Sequence, residues 1–465
     1  MQAPGTSSNP LRVAVIGSGP TGFFTAEHLF KAPDLHVQVD MFDRLPTPYG
    51  LVRGGVAPDH QKIKKVTVGY DKTAARDEFR FYGNVEIGRH LSLAELREHY
   101  HQIVFCTGAQ TDRRMEIPGE DLEGSRTATE FVAWYNGHPD YRDCRFDLSV
   151  ERVVVVGVGN VAVDVARILC RTPEELAATD IADYALEALK KSQVKEVVML
   201  GRRGPAQAAF TNPEAKELGE LEGADLFISP EDAIPDALSQ EDLAANPDRA
   251  TEKKLAMLKE FSEQPARGLP RRLTLRFLVS PVELVDDGQG RVGGVKLVTN
   301  ELYRDHRGNL RPRATEKFEV LPAGLVLRSV GYRGVALPDV PFHDAWGVIP
   351  NQEGRILNGE AVCPGEYVAG WIKRGPSGVI GTNKPCAKET VERMLEDVAA
   401  GQVHQPGNPS REALEARLQG RTRWVSFADW KRLDDLEVSR GQSSGRPRVK
   451  FTSVDEMLEA LQIHA

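Results

Sequence analysis

The stretch LRVAVIGSGPTGFFTAEHLFK, residues 11 to 31, changes its apolar period halfway along. Its opening, LRVAVI, is nearly all apolar, as a parallel strand buried on both faces must be, and from Phe23 onward the apolar residues recur at helical spacing. Between the two lies Gly17-Ser18-Gly19-Pro20-Thr21-Gly22. In that strand-turn-helix setting each glycine has its own reason. Gly17 permits the tight turn, Gly19 lets a pyrophosphate approach the backbone, and Gly22 lets helix and strand pack closely, with the phosphates at the helix N-terminus. A second strand, VQVDMFD, ends in Asp43, where a carboxylate accepts from ribose hydroxyls.

The pattern recurs at RVVVVGVGNVAVDVARIL, residues 152 to 169. Here the turn is Gly157-Val158-Gly159-Asn160-Val161-Ala162, and alanine is an accepted third member. Its second strand, VVML, comes late, after a helical stretch, and it ends in Arg202 and Arg203 instead of an acid. Paired guanidinium groups suit a 2'-phosphate, which they grip through bidentate bonds. One turn closed by an acid and one by arginines implies two different nucleotides, FAD in the first and NADP(H) in the second, and hence a flavin-dependent electron-transfer enzyme. QIVFCTGA (102 to 109) and AGLVLRSVGYRG (323 to 334) read as strand ends where the chain passes between domains. The expected class is α/β: two Rossmann-like three-layer nucleotide-binding domains. The FAD domain spans 1–112 and 328–465, with the NADP domain, 113–327, inserted into it.

Composition removes other classes. With 465 residues, 41% of them hydrophobic and 27% charged, the chain has ample core and no signature of disorder. No apolar run approaches the ~18–20 residues of a membrane span, and MQAPGTSSNP lacks the features of a signal peptide, so a cytoplasmic protein is expected. A net charge of -8 disfavours nucleic acid as a partner. Cys106, Cys144, Cys170, Cys363 and Cys386 show no metal-like or C-x-x-C spacing, so no metal site, iron-sulfur cluster or redox disulfide is expected. His99 and His101 are not spaced as a ligand pair, and GQSSG (441 to 445) lacks the strand-turn-helix setting of a nucleophile elbow. The segment from 410 to 441 reads as helical and surface-lying.

LPTPYGLVRGGVAPDH (45 to 60), GVGNVAVDVARIL (157 to 169), GRRGPAQAAFT (201 to 211), RSVGYRG (328 to 334) and GWIKRGPSGVIGTNK (370 to 384) closely resemble the adrenodoxin-reductase type of ferredoxin:NADP reductase. The resemblance covers nearly the whole chain, and an indole at Trp371, where many two-nucleotide flavoproteins carry an Asp, points to this branch. It implies FAD contacts at the Gly17 to Gly22 turn with Gly19 and Pro20, at Asp43, Leu51, Ile87 and Trp371, and along Gly378, Val379 and Ile380. It implies NADP contacts at Val158, Gly159, Asn160, Val161, Arg202, Arg203, Glu214 and again Gly378. The active-site histidine falls on His60, with an acidic partner that is Asp164, Glu214 or Glu217. The acceptor implied is an acidic ferredoxin-type iron-sulfur protein, docked by Arg267, Arg271, Arg272 and Arg276. The competing reading is a sensor or interaction scaffold that binds both nucleotides without rapid turnover.

Overall fold

The computed structural model describes residues 4–462. The N-terminal third supplies strands β1 (Leu11–Ile16), β2 (Val37–Phe42), β3 (Phe79–Tyr82) and β4 (Gln102–Phe105), and a short β5 (Thr111–Asp112) leads out of it. The middle supplies β6 (Ser125–Thr127), β7 (Arg152–Val156), β8 (Glu196–Leu200), β9 (Ala224–Ile228) and β10 (Arg271–Arg276). An antiparallel meander follows, β11 (Val279–Asp286), β12 (Val292–Arg304) and β13 (Leu310–Pro322), and then β14 (Leu325–Arg328). The chain returns through β15 (Tyr332–Arg333) to β16 (Asn351–Gln352), β17 (Arg355–Asn358) and β18 (Ala361–Val368).

Two sheets result. One has the order β16-β17-β18-β4-β1-β2-β3, parallel from β18 onward; the other has the order β6-β14-β7-β8-β10-β9 and is parallel throughout. Alternate residues of each strand enter different cores, as strand geometry dictates. Val13 and Val15 join Phe23, Ala387 and Met394 beneath helices Pro20–Leu29 and Asn383–Ala399, while Ala14 and Ile16 join Leu96 and Tyr100 on the other face. In the second sheet Val153 and Val155 pack under helix Asn160–Cys170, whereas Val154 and Val156 meet Val295 and Leu297 of the meander. The third layer of this domain is therefore a β-meander. Strands β11 and β12 supply its apolar face, through Val279, Leu284, Val292, Val295 and Leu297.

Register places both glycine turns at the carboxyl ends of their strands, where open α/β sheets take ligands. Ile16 pairs with Phe42, so Gly17 lies beside Asp43; Val156 pairs with Leu200, so Gly157 lies beside Gly201 and the arginines after it. The β5 and β15 segments pair as a two-stranded ribbon where the chain leaves and re-enters. Arg328 pairs within the second sheet, opposite Val156 and Thr127, so a division at 327/328 cuts β14 at its last residue. Residues 1–3 and 463–465 of the expected FAD domain lie outside the described residues.

The 410 to 441 segment is helical but not merely surface-lying. Helices Arg411–Leu418 and Phe427–Gln442 bury Leu414, Leu418, Trp430 and Leu433. The second also carries Glu437, fully buried, where it accepts from both terminal nitrogens of Arg53 (2.7 and 2.5 Å) and from Arg448 (3.2 Å).

Candidate functional site

At the first turn the three glycines separate by what a side chain would meet. A Cβ on Gly17 (φ +105°) would lie 2.6 Å from the Cys106 carbonyl oxygen, and one on Gly22 would lie 2.2 Å from that of Gly17. Gly19 has nothing within 4 Å. The first and third glycines thus close the turn on itself and the second opens onto space, as a phosphate cradle requires. Pro20 opens the helix, where its missing N–H costs nothing. The segment before Leu51 lies over the turn: Tyr49 N–H donates to Ser18 O (2.9 Å), and a Cβ on Gly50 would come 3.0 Å from the Gly19 Cα.

Asp43 grips the turn from within. One carboxylate oxygen accepts from Ser18 N–H (3.0 Å) and Oγ (2.5 Å), the other from Leu45 N–H (3.0 Å). A carboxylate offers roughly four acceptor positions, so capacity remains for a ribose hydroxyl. The fit to a flavin nucleotide is further supported by Thr107, at the end of β4, whose buried hydroxyl has no partner, and by Leu51 and Val379, both exposed apolar side chains near the turn and loop. Ile87, by contrast, packs its side chain into the core with Val85 and Leu91.

Trp371 follows Gly370 (φ +77°), where a Cβ would come 2.3 Å from Thr21 Oγ1, so the end of β18 abuts the first turn. The indole donates to Ser377 O (3.1 Å), and its ring centroid lies 5.6 Å from that of Tyr332. Arg374, unremarkable in the sequence, holds the loop carrying Gly378, Val379 and Ile380: it donates to Ser377, to Thr382 Oγ1 (3.2 Å) and to Asn383 Oδ1 (3.1 Å).

The second turn repeats the logic. A Cβ on Gly157 (φ +135°) would lie 2.3 Å from the Ser329 carbonyl oxygen, Gly159 is open, and Ala162 is fully buried. Val158 O accepts from Ala209 N–H (2.9 Å) and Phe210 N–H (3.0 Å), and Asn160 Oδ1 accepts from Thr211 N–H (2.9 Å), clasping the segment after the arginines onto the turn; Val161 packs against the helical core. Arg202 and Arg203 have fixed backbones, their carbonyls accepting from Asn300 Nδ2 (2.9 Å) and Leu278 N–H (3.1 Å). Among the described residues neither guanidinium has an acidic partner. Burial, then Arg202 and Arg311, hold the Arg203 cation below its ordinary value. A cationic cluster that lacks an anion is what a 2'-phosphate completes. Arg311, tied to Asp305 at 3.1 Å, belongs to this field through the tip of the meander, which local sequence could not disclose.

Between the turns sits His60, 11% exposed. Of the three candidate acids the structure selects Glu217, whose Oε2 lies 2.9 Å from His60 Nε2; Asp164 Oδ1 lies 3.8 Å from Nδ1. Glu214 turns away and accepts from Thr211 Oγ1. Three residues absent from the expected set, Asp59, Arg167 and Arg171, complete the cluster: Arg167 contacts Asp59, Asp164 and Glu217, and Arg171 also meets Asp59. Burial depresses the His60 pKa, but the Glu217 hydrogen bond and the charges of Asp164 and Asp59 outweigh it, so the net shift is upward. Burial pushes Asp164 up to about 6 against the pull of His60 and Arg167. Glu217 goes the other way: its hydrogen bond to His60 and the Arg167 charge overcome burial and lower it.

The basic stretch does not present a single face. Arg271, Arg272 and Arg276 lie on β10, an interior strand, whose alternation sends Arg271 to one side of the sheet and the other two to the opposite side. Arg267 pairs with Asp225 (3.4 Å) and donates to Leu221 O (2.7 Å), Arg271 donates to Val194 O (3.1 Å), and Arg276 pairs with Glu319 (2.5 Å). Arg272 is exposed and lies over the Phe227 ring. The expectation of one four-arginine docking patch is corrected accordingly, because a charge run that becomes a strand is split by its period.

All five cysteines are free. Among the described residues no cluster suited to a metal ion occurs and no helix is long and apolar enough to cross a membrane. His101 Nδ1 accepts from Arg12 N–H (3.0 Å) and His99 Nδ1 faces Asn408 O, both structural roles.

Residues 11–200 match the pyridine nucleotide-disulphide oxidoreductase family. The chain is 46% identical over 458 residues to NADPH-ferredoxin reductase FprA of Mycobacterium tuberculosis, covering 97% of this chain and 98% of that one. It is 42% identical over 466 residues to the mitochondrial NADPH:adrenodoxin oxidoreductase of Homo sapiens, covering 98% and 93%. The solved structure of Mycobacterium tuberculosis FprA in complex with NADPH superposes with a TM-score of 0.92 at 44% identity, over 98% of this chain and all of that one. The chain therefore belongs to the ferredoxin–NADP reductase family of the adrenodoxin-reductase type.

Proposed function

We propose that this chain takes a hydride from NADPH onto bound FAD and delivers single electrons to a ferredoxin-type iron-sulfur protein. When bound, FAD accepts two electrons together and releases them singly, the conversion a one-electron acceptor needs. The residues supply the rest. The Gly17–Gly22 turn with Asp43, the backbone around Gly378, Val379 and Ile380, and Trp371 are assigned to FAD, with Leu51 and Ile87 shaping its surroundings. The Val158–Val161 turn, Arg202 and Arg203 are assigned to NADP(H). Arg202 and Arg203 select the phosphorylated nucleotide, because no acidic side chain among the described residues satisfies them. Glu214, bonded to Thr211, is assigned to the rim of that site.

The observation that carries this reading is the His60–Glu217 pair. It joins a histidine that follows the first turn to a glutamate that follows the second, so it lies where two nucleotides held by those turns would meet. Its task is positional and electrostatic: it holds a proton near neutrality beside the hydride-transfer geometry while the two domains stay in register. We place the domain division after Asp112 and after Arg328, supported by the sheet membership of β14. The acceptor's acidity is part of the proposal and rests on Arg267 and Arg272, the two arginines of the basic stretch with exposed side chains.

The test is an anaerobic titration of the flavin-loaded protein with NADPH and, separately, NADH, following absorbance of the bound flavin. Bleaching at far lower NADPH than NADH is expected. Bleaching by neither would leave a nucleotide-binding scaffold.

A further inference from the structure

Arg167 is the least exposed member of the His60 cluster, at 1%. Its guanidinium meets three carboxylates brought from three segments: Asp59, Asp164 (2.9 Å) and Glu217 (3.2 Å). These contacts coincide with those of His60 atom for atom. Glu217 Oε2, 2.9 Å from His60 Nε2, is the oxygen that Arg167 Nε approaches; Asp164 Oδ1, 3.8 Å from His60 Nδ1, is the oxygen that Arg167 Nη1 donates to. Asp59, the third carboxylate, is the residue bonded to His60 in the chain. Each side of the imidazole thus faces an oxygen that Arg167 also neighbours, through a hydrogen bond to Asp164 and an ion pair without a hydrogen bond to Glu217.

The charges do not close without a proton. Asp59, Asp164 and Glu217 face Arg167 and Arg171, and Arg171 also answers Glu175. The phenols of Tyr135 and Tyr332 face Asp164 from helix Ala128–Tyr135 and β15, and burial raises both far beyond neutrality, so they contribute no charge. An imidazolium at His60 or a proton on Asp164 offsets part of the remaining negative charge. A planar fork, unlike a compact ammonium, spreads its donors in fixed directions toward three carboxylates at once.

We propose that Arg167 is a positioning residue: by holding the carboxylate oxygens that face both ring nitrogens of His60, it determines where the proton of the His60–Glu217–Asp164 set resides. The inference rests on the role assigned above to His60 and Glu217. Removing the guanidinium leaves the carboxylates less compensated, so His60 holds its proton to higher pH.

The test is an NMR pH titration of histidine ring protons in the FAD-loaded protein, with His60 assigned by its loss in His60→Gln. In Arg167→Met the His60 midpoint is expected to rise by about one pH unit, and Arg167→Lys, which keeps the charge but not the fork, is expected not to restore the wild-type value. Where Arg167→Met does not fold, Arg167→Gln, which keeps amide donors but no charge, is expected to move the midpoint the same way. An unchanged midpoint in variants that retain the flavin spectrum, or full restoration by lysine, overturns the proposal. Glu217→Gln in the wild-type background separates the two levels: it must lower the midpoint, and if it does not, the His60–Glu217 pairing is what fails.

Discussion

Replacing Arg203 with alanine separates nucleotide choice from stability. Among the described residues the side chain has no acidic partner, and burial together with Arg202 and Arg311 works against its charge. Its removal therefore costs the fold nothing and relieves repulsion. A charge-assisted bond to a phosphate contributes about 1.5–3 kcal/mol; taking about 2 kcal/mol for the half-buried Arg203 gives a loss of roughly 30-fold in NADPH affinity. Arg202 is exposed, so solvent screening reduces its share to about 1 kcal/mol, or roughly fivefold. Their adjacency makes the double variant non-additive. The assay is the Kd of each nucleotide from perturbation of the flavin spectrum, beside a thermal melt. NADPH affinity falls, NADH affinity holds, and Tm is unchanged or higher. Equal losses for both nucleotides, or a lower Tm, would refute the reasoning.

Three further outcomes follow from the geometry. Gly19→Ala leaves folding intact and weakens FAD retention, because its Cβ meets only open space, whereas Gly22→Ala forces a contact with the Gly17 carbonyl and lowers stability by about 1–3 kcal/mol along with flavin content; thermal melts and flavin-to-protein ratios check both. Asp164, pushed by burial to about 6, contributes stability that is fully present below its ordinary range near pH ~4 and lost as pH rises through 6, a swing of order 2–3 kcal/mol. Asp164→Asn cannot ionise, so its Tm relative to wild type climbs between about pH 4 and 7; parallel curves would count against the shift. Glu437→Ala strands Arg53 in the interior, leaves Arg448 only Asp434, and costs about 3–5 kcal/mol by chemical denaturation.

The nucleotide turns were legible because their logic is local: a strand, three glycines and a helix occupy consecutive residues, and the acid or arginines end the next strand. Arg202 and Arg203 stood out for the same reason. The partner of His60 was not legible, since Glu217 lies 157 residues away and only tertiary assembly chooses it over Asp164 and Glu214. Arg167 was hidden differently: in VAVDVARIL it reads as a polar residue on an amphipathic helix, and of its three carboxylates only Asp164 lies in that stretch, Asp59 and Glu217 coming from elsewhere in the chain. The docking arginines misled because a basic run carries no record of which faces its residues take once it becomes an interior strand. Residues 410 to 441 looked exposed because their charge is high, yet Trp430 and Glu437 are buried in the fold, the glutamate satisfied chiefly by Arg53, which the sequence places 384 residues away.

The central claim is conversion of a two-electron donor into one-electron deliveries through this chain. The most direct test supplies the flavin-loaded protein anaerobically with limiting NADPH and excess oxidised ferredoxin, measuring NADPH consumed and iron-sulfur centres reduced by their separate absorbances. The account predicts rapid turnover with about two centres reduced per NADPH, and little turnover with NADH at the same concentration. Bound nucleotides with no reduction of ferredoxin or of any artificial acceptor would contradict it.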